Sequence, residues 1–149
     1  MNDFTDGCVL AFDYGSRLIG VAIGHRATGN ARALCTVANS PASIDWKALD
    51  ALVKEWQPGQ FVVGLPLTLD GGEQAMSKAA RAFALQLTER YQRPAHSVDE
   101  RNSSKEASKR FAAQRAQGTA KRKHAAQIDA LAAQIILETW LSAPRSHEP

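Results

Sequence analysis

Short apolar runs and longer apolar periodicities alternate along the chain. Val9-Leu10-Ala11-Phe12, Leu18-Ile19-Gly20-Val21-Ala22-Ile23, Ala33-Leu34-Cys35-Thr36-Val37-Ala38 and Phe61-Val62-Val63-Gly64-Leu65 have the length and composition of strands. Trp46, Leu49, Leu52, Val53 and Trp56 recur at helical spacing and stop at Pro58-Gly59. A second helix is marked by Met76, Ala79, Ala80, Phe83, Leu87 and Tyr91, and Pro94 separates it from a short strand, Ala95-His96-Ser97-Val98, with Asp99 and Glu100 at its end. Ser103 with Glu106 three residues on is a capping box, opening a third helix through about Arg115 that Gln117-Gly118-Thr119 breaks. The last helix runs from about His124 to Leu141. The order is three strands, helix, strand, helix, strand and two helices, which predicts one mixed α/β sheet with an antiparallel N-terminal hairpin and helices on both faces.

Length and composition agree with a single domain over 1–143 followed by a disordered tail, 144–149. The 149 residues are 44% hydrophobic, enough to bury roughly two-thirds of the unfolded surface. Cys8 and Cys35 lie in apolar runs without CxxC spacing and read as reduced core residues. The N-terminus lacks a basic leader, and no apolar run approaches the ~20 residues of a membrane span, so a cytoplasmic protein with no membrane partner is expected.

The net charge of +3 is unevenly placed. Between Arg101 and His124 stand Arg101, Lys105, Lys109, Arg110, Arg115, Lys121, Arg122 and Lys123, against the single acid Glu106. Such a concentration is the footprint of a phosphate-backbone partner, although a solvated helix face followed by a loop has the same composition.

Three carboxylates stand out against this background. Asp13 closes the first apolar run, at the strand tip where α/β sheets hold ligands or metals. Asp129 is placed by helix geometry: with Ile128 at zero and 100° per residue, Leu131, Ala132, Ile135 and Ile136 fall at about 300°, 40°, 340° and 80°, and Gln127, Gln134 and Glu138 near 260°, 240° and 280°. Those polar residues define the expected wet face. Asp129, near 100°, lies on the other side, where an ionised aspartate costs several kcal/mol unless it is paired or holds a cation. Helix geometry alone is equally consistent with an aspartate neutralised by the helix N-terminus and by Lys121 or Lys123. Glu100 follows the last strand. Strand alternation sends only one of Asp99 and Glu100 inward, and Glu100 is taken as the site residue, with Asp99 structural. Oxygen donors from a first strand, a late strand tip and a final helix form a hard-ligand site for Mg²⁺ or Mn²⁺.

Other chemistries lack support. His25, His96, His124 and His147 have no zinc-type spacing, and the chain contains no GxGxxG, GxxxxGK[ST] or GxSxG. Actin-like and sugar-kinase-like ATPases also begin with strand, DxG and strand, but need a chain more than twice as long.

Four blocks carry a resemblance to a known family: Leu10-Ala11-Phe12-Asp13-Tyr14-Gly15-Ser16-Arg17-Leu18-Ile19-Gly20-Val21-Ala22, Gly64-Leu65-Pro66-Leu67-Thr68-Leu69-Asp70-Gly71, Val98-Asp99-Glu100-Arg101-Asn102-Ser103-Ser104-Lys105-Glu106-Ala107, and Ile128-Asp129-Ala130-Leu131-Ala132-Ala133-Gln134-Ile135-Ile136-Leu137. In this order they resemble the bacterial YqgF family of ribonuclease H-like proteins, described as Holliday junction resolvases and as pre-16S rRNA nucleases. The resemblance implies a ribonuclease H-like fold with a five-stranded mixed sheet, and an acidic triad of Asp13, Glu100 and Asp129. It implies divalent-metal phosphodiester hydrolysis at the 5′ end of pre-16S rRNA in ribosome biogenesis, with branched DNA as the alternative substrate and a non-catalytic RNA-binding ribosome-assembly factor, which would share the fold and the basic surface, as the rival reading. Gly15 would then let backbone approach the scissile group, while Arg17, Arg101, Lys121, Arg122 and Lys123 hold the strand. Leu18, where many relatives carry a second basic residue, and Thr68, where asparagine is frequent, depart from the pattern at substrate contacts. A monomer or weak homodimer is expected.

Overall fold

The computed structural model describes residues 7–15, 17–39, 43–65, 75–99, 109 and 125–142. Its elements are β1 (Cys8–Tyr14), β2 (Leu18–His25), β3 (Asn30–Ala38), α1 (Trp46–Trp56), β4 (Gln60–Leu65), α2 (Ala75–Tyr91), β5 (Ala95–Asp99) and α3 (Ala125–Ser142). The predicted helix after Ser103 and the predicted tail lie outside the described residues. The five strands form one sheet in the order β3-β2-β1-β4-β5. β1, β2 and β3 pair antiparallel, whereas β4 and β5 run parallel to β1. This is the mixed sheet, antiparallel N-terminal hairpin included, that the order of apolar runs predicts. The parallel strands β1, β4 and β5 bring their C-terminal ends to one edge.

Alternation along each strand divides the interior into two cores of unequal character. Leu10 and Phe12 of β1, Ile19, Val21 and Ile23 of β2, and Phe61 and Val63 of β4 face α1 and α2, where Leu49, Val53, Phe83 and Leu87 meet them. Phe83 lies at the centre of an aromatic group, edge-on to Phe12 at 5.4 Å and 5.1 Å from the Tyr14 ring. The opposite face is built from smaller side chains: Val9, Ala11, Ala22 and Val62 pack against Ala133, Ile136 and Leu137 of α3. Glycines continue that second pattern. A Cβ on Gly24 would stand 2.8 Å from Leu137, and one on Gly20 would overlap the Asp129 carbonyl and lie 2.9 Å from the Ala130 nitrogen. The run Gly20-x-Ala22-x-Gly24 therefore admits the helix backbone itself to the sheet surface.

Both α1 and α2 end just before a flanking proline, each through a glutamine in the left-handed region. Gln57 (φ 49°) donates its N–H to Val53 O at 2.8 Å, and Gln92 (φ 59°) donates to Thr88 O at 2.9 Å. Asp45 caps the start of α1, accepting from Ala48 N at 3.2 Å.

The orientation of α3 differs from the expected one. Its buried positions are Ala130, Ala132, Ala133, Ile135, Ile136 and Leu137, so the buried arc runs from about 340° through zero to about 200° on the same wheel and Asp129 falls near its middle. Gln134 and Glu138, assigned by their polarity to the wet face, are half-buried instead. The physical reason is an edge strand. A bulge at β3 shifts its register opposite Val21/Ala22, and Gln134 Oε1 accepts from Ala33 N at 2.9 Å while its Nε2 donates to Glu138 at 2.9 Å. Polarity alone cannot tell a solvated glutamine from one that binds strand backbone.

A single methyl group tests the glycine contact. Gly20→Ala forces the α3 backbone off the sheet and is expected to cost about 3 kcal/mol, a drop in melting temperature of about 6–12 °C at this chain length. Gly29 has a positive φ, 71°, but a Cβ there would meet no atom within 4 Å, so Gly29→Ala is expected to cost only about 1 kcal/mol of backbone strain. Thermal melts of the two variants check the ranking.

Candidate active site

Asp13 is the sixth residue of β1 and is only 8% exposed. On the flanking strands its register partners are Gly20 of β2 and Gly64 of β4. A glycine on each side leaves a well at this row of the sheet, with the carboxyl as its only side chain across three strands. Alternation points Asp13 to the same face as Val9 and Ala11, the face that α3 covers.

Asp129 arrives from above. It lies in the second turn of α3 and is half-buried, and its carbonyl rests on Gly20, the residue paired with Asp13. The close approach of helix to strand thus brings the two carboxyls together. Their electrostatics record it: the Asp13 carboxyl is pushed up from 3.8 to about 7, first by burial and second by the negative charge of Asp129. Burial also raises the Asp129 carboxyl above its ordinary value.

Two buried acids, one of them further burdened by the charge of the other, fit a hard divalent cation, whose charge reverses both effects. Among the described residues no third metal-ligating side chain joins them. Glu100 lies outside the described residues, as do Arg101, Lys121, Arg122 and Lys123. What is described of β5 bears on the question left open between Asp99 and Glu100: Val98 packs on the α3 side and His96 stacks on Trp140 of α3 at 5.3 Å, whereas Ala95 packs on the other side.

Gly15 and Arg17 follow Asp13 directly. A Cβ on Gly15 would stand 2.5 Å from the Leu18 carbonyl, so the bend between β1 and β2 requires glycine there. Arg17 is exposed. Two residues at this end of the sheet escape a reading of the sequence. Gly20 carries a legible signal, small residues at every second position of one strand. Asn39, buried at the end of β3, carries none: its Nδ2 donates to Gly15 O at 2.7 Å and its main-chain N–H to Arg17 O at 2.8 Å.

His96 has a structural role, with Nε2 2.9 Å from Gln60 Oε1. Cys8 and Cys35 are free, and burial raises both thiols. No helix among the described residues is long and apolar enough to cross a membrane.

Comparison with known proteins matches the profile of a family described as RuvX, Holliday junction resolvase, to residues 7–143. A protein of Xanthomonas oryzae pv. oryzae named "Putative pre-16S rRNA nuclease" is 51% identical over 139 residues, 93% of this chain and 90% of that one. A protein of Xylella fastidiosa with the same name is 50% identical over 141 residues, 95% of this chain and 91% of its own. Among solved structures, T. thermophilus RuvC in complex with Holliday junction substrate aligns over 91% of this chain and 93% of its own, with a TM-score of 0.49 and 17% identity. Matched over nearly its whole length, the chain belongs to the RuvX (YqgF) family.

Proposed function

We propose that this chain is a divalent-metal-dependent nuclease that hydrolyses phosphodiester bonds at the 5′ end of pre-16S rRNA in the cytoplasm, with Asp13, Glu100 and Asp129 holding Mg²⁺ or Mn²⁺. The observation that carries it is the convergence of Asp13 and Asp129 in the interior. Two carboxyls packed together there weaken the fold unless a cation joins them. Support for Glu100 as the third ligand comes from its place in the sequence, directly after β5, a strand whose His96 and Val98 lie on the α3 side. Processing of pre-16S rRNA is supported by the names of relatives about half identical over nearly the whole chain.

A cation bound by these carboxylates supplies Lewis-acid activation of water and stabilises charge on the phosphate and leaving oxygen. The protein's own residues do the rest. Asp13, fixed by a central strand with partners on both sides, gives the site a rigid anchor. Gly15 lets the hairpin backbone approach the scissile group, and Arg17, Arg101, Lys121, Arg122 and Lys123 hold phosphates without reading bases. Water adds to phosphorus, the P–O bond to the leaving oxygen breaks, and that oxygen takes up a proton.

A cleavage assay of the purified protein on precursor rRNA, other RNA and four-way DNA junctions, with and without Mn²⁺, tests the reading. Asp13→Asn is expected to lower the metal-dependent rate at least about a hundredfold without lowering the melting temperature. Undiminished cleavage by the variant removes Asp13 from the mechanism. Cleavage confined to junctions would replace the RNA reading with the resolvase one, and binding without cleavage would leave an assembly factor.

The raised Asp13 value also fixes a pH dependence. In the metal-free protein its carboxyl keeps its proton up to about pH 7, whereas the unfolded chain releases it near 3.8. The unfolded state binds fewer protons between these values, so stability falls as pH rises from about 4 to 7, by about 4 kcal/mol from this group. Urea midpoints across that range should fall in the wild type and fall less steeply in Asp13→Asn, where only the burial of Asp129 still opposes ionisation. At pH 7, Asp129→Asn should stabilise the metal-free protein, and added Mg²⁺ should stabilise the wild type but barely affect this variant. A wild-type midpoint that rises from pH 4 to 7 would overturn the electrostatic account.

A further inference from the structure

We propose that Asn39 is a positioning residue that bolts the β1–β2 bend in the shape that presents Arg17 to a phosphate of the substrate strand. The inference rests on the reading of Arg17 as a phosphate contact.

The bend follows Asp13 by two residues and carries two main-chain carbonyls, Gly15 O and Arg17 O. Both accept from the same residue, Asn39, one from its side chain at 2.7 Å and one from its main chain at 2.8 Å. Because Gly15 offers a carbonyl, only the NH₂ end of the Asn39 amide can answer it, which fixes the orientation of the amide. Asn39 is itself anchored. It follows the last residue of β3, Ala38, which pairs with Leu18, and it forms a bridge with Ile44, while the neighbouring Asp45 N–H donates to Ala38 O at 3.1 Å.

With the Gly15 and Arg17 carbonyls both bonded to Asn39, the backbone that carries Arg17 is tied to the end of β3. Arg17 is exposed, so its guanidinium is free to meet a ligand while its main chain is fixed. A phosphate contact made from a fixed backbone avoids ordering a mobile loop on binding. Asp13 does not depend on the bolt, because its backbone is held by β2 and β4. Loss of the Asn39 amide should therefore reach substrate binding through Arg17 and leave the carboxylate pair in place. A purely structural asparagine predicts lost stability and nothing more.

The test is a double-mutant cycle on the full chain, reading the affinity for a labelled single-stranded RNA over a salt series in EDTA, where the probe stays intact. Arg17→Ala is expected to lower the log–log salt slope by about 0.7, the value of one phosphate contact on a single strand. Asn39→Ala should weaken binding about fivefold and lower the slope by a similar amount, and the double variant should bind no worse than Arg17→Ala. Asn39→Ala with lowered melting temperature but wild-type affinity and slope overturns the inference while leaving Arg17 as a contact. An unaltered slope in Arg17→Ala overturns the reading of Arg17 and the inference with it. If Asn39→Ala does not fold, the wild type decides: its Asn39 side-chain amide protons should exchange slowly with solvent and shift on RNA addition in nuclear magnetic resonance spectra. Exchange as fast as at exposed asparagines, or no shift with RNA, overturns the proposal.

Discussion

The contact of the α3 backbone with Gly20 is the constraint on which the rest of the site depends. A helix ordinarily rides on its side chains, and the sheet beneath it is kept away by the Cβ atoms of the strands. Here one strand lacks that atom at the position paired with Asp13, so the Asp129 main chain reaches the sheet. Two consequences follow from the one contact. The strand-borne carboxyl becomes buried beneath a helix, and a helix-borne carboxyl is brought close enough to raise its proton affinity. A larger residue at position 20 would relieve the electrostatic cost and abolish the juxtaposition together.

The two faces of the sheet divide the work of the protein unevenly. On the side of α1 and α2, aromatic and branched residues interlock around Phe83, and burial of this kind supplies most of a domain's stability. The α3 side is lined by alanine, valine and glycine, which bury less area per residue but permit close backbone approach. Placing the acids on the thinner core means that their repulsion acts against packing that contributes less. The central position of β1, between β2 and β4, then limits how far Asp13 can move in response.

Much of this is legible from sequence. The strand runs predict the sheet because apolar runs of four to eight residues between Gly, Pro and Asp have few alternatives, and Asp13 stands out because a carboxylate at such a run's end is costly without a ligand. Helix geometry also sets Asp129 on the inner side of its helix, and the structure puts it nearer the centre of the buried arc than the wheel does. The wheel fails at Gln134, whose apparent wet face is a hydrogen bond to the Ala33 N–H of an edge strand. Asn39 is illegible for a related reason. Its partners are main-chain carbonyls 24 and 22 positions away, and no side-chain pattern encodes a bond to backbone distant in sequence.

The raised proton affinity of Asp13 gives the metal-free protein a definite character. Near neutral pH its carboxyl is divided between protonated and ionised forms, so the site is neither a fixed pair of negative charges nor a neutral cavity. Metal binding at such a site must release a proton, and its affinity must rise with pH across the range in which the metal-free fold becomes weaker. The same repulsion drives both trends: what destabilises the empty fold at neutral pH is what a divalent cation relieves. A cation held by the proposed carboxylate pair would therefore couple its occupancy to the docking of α3 on the sheet, because the repulsion it relieves lies between a strand and the helix that covers it.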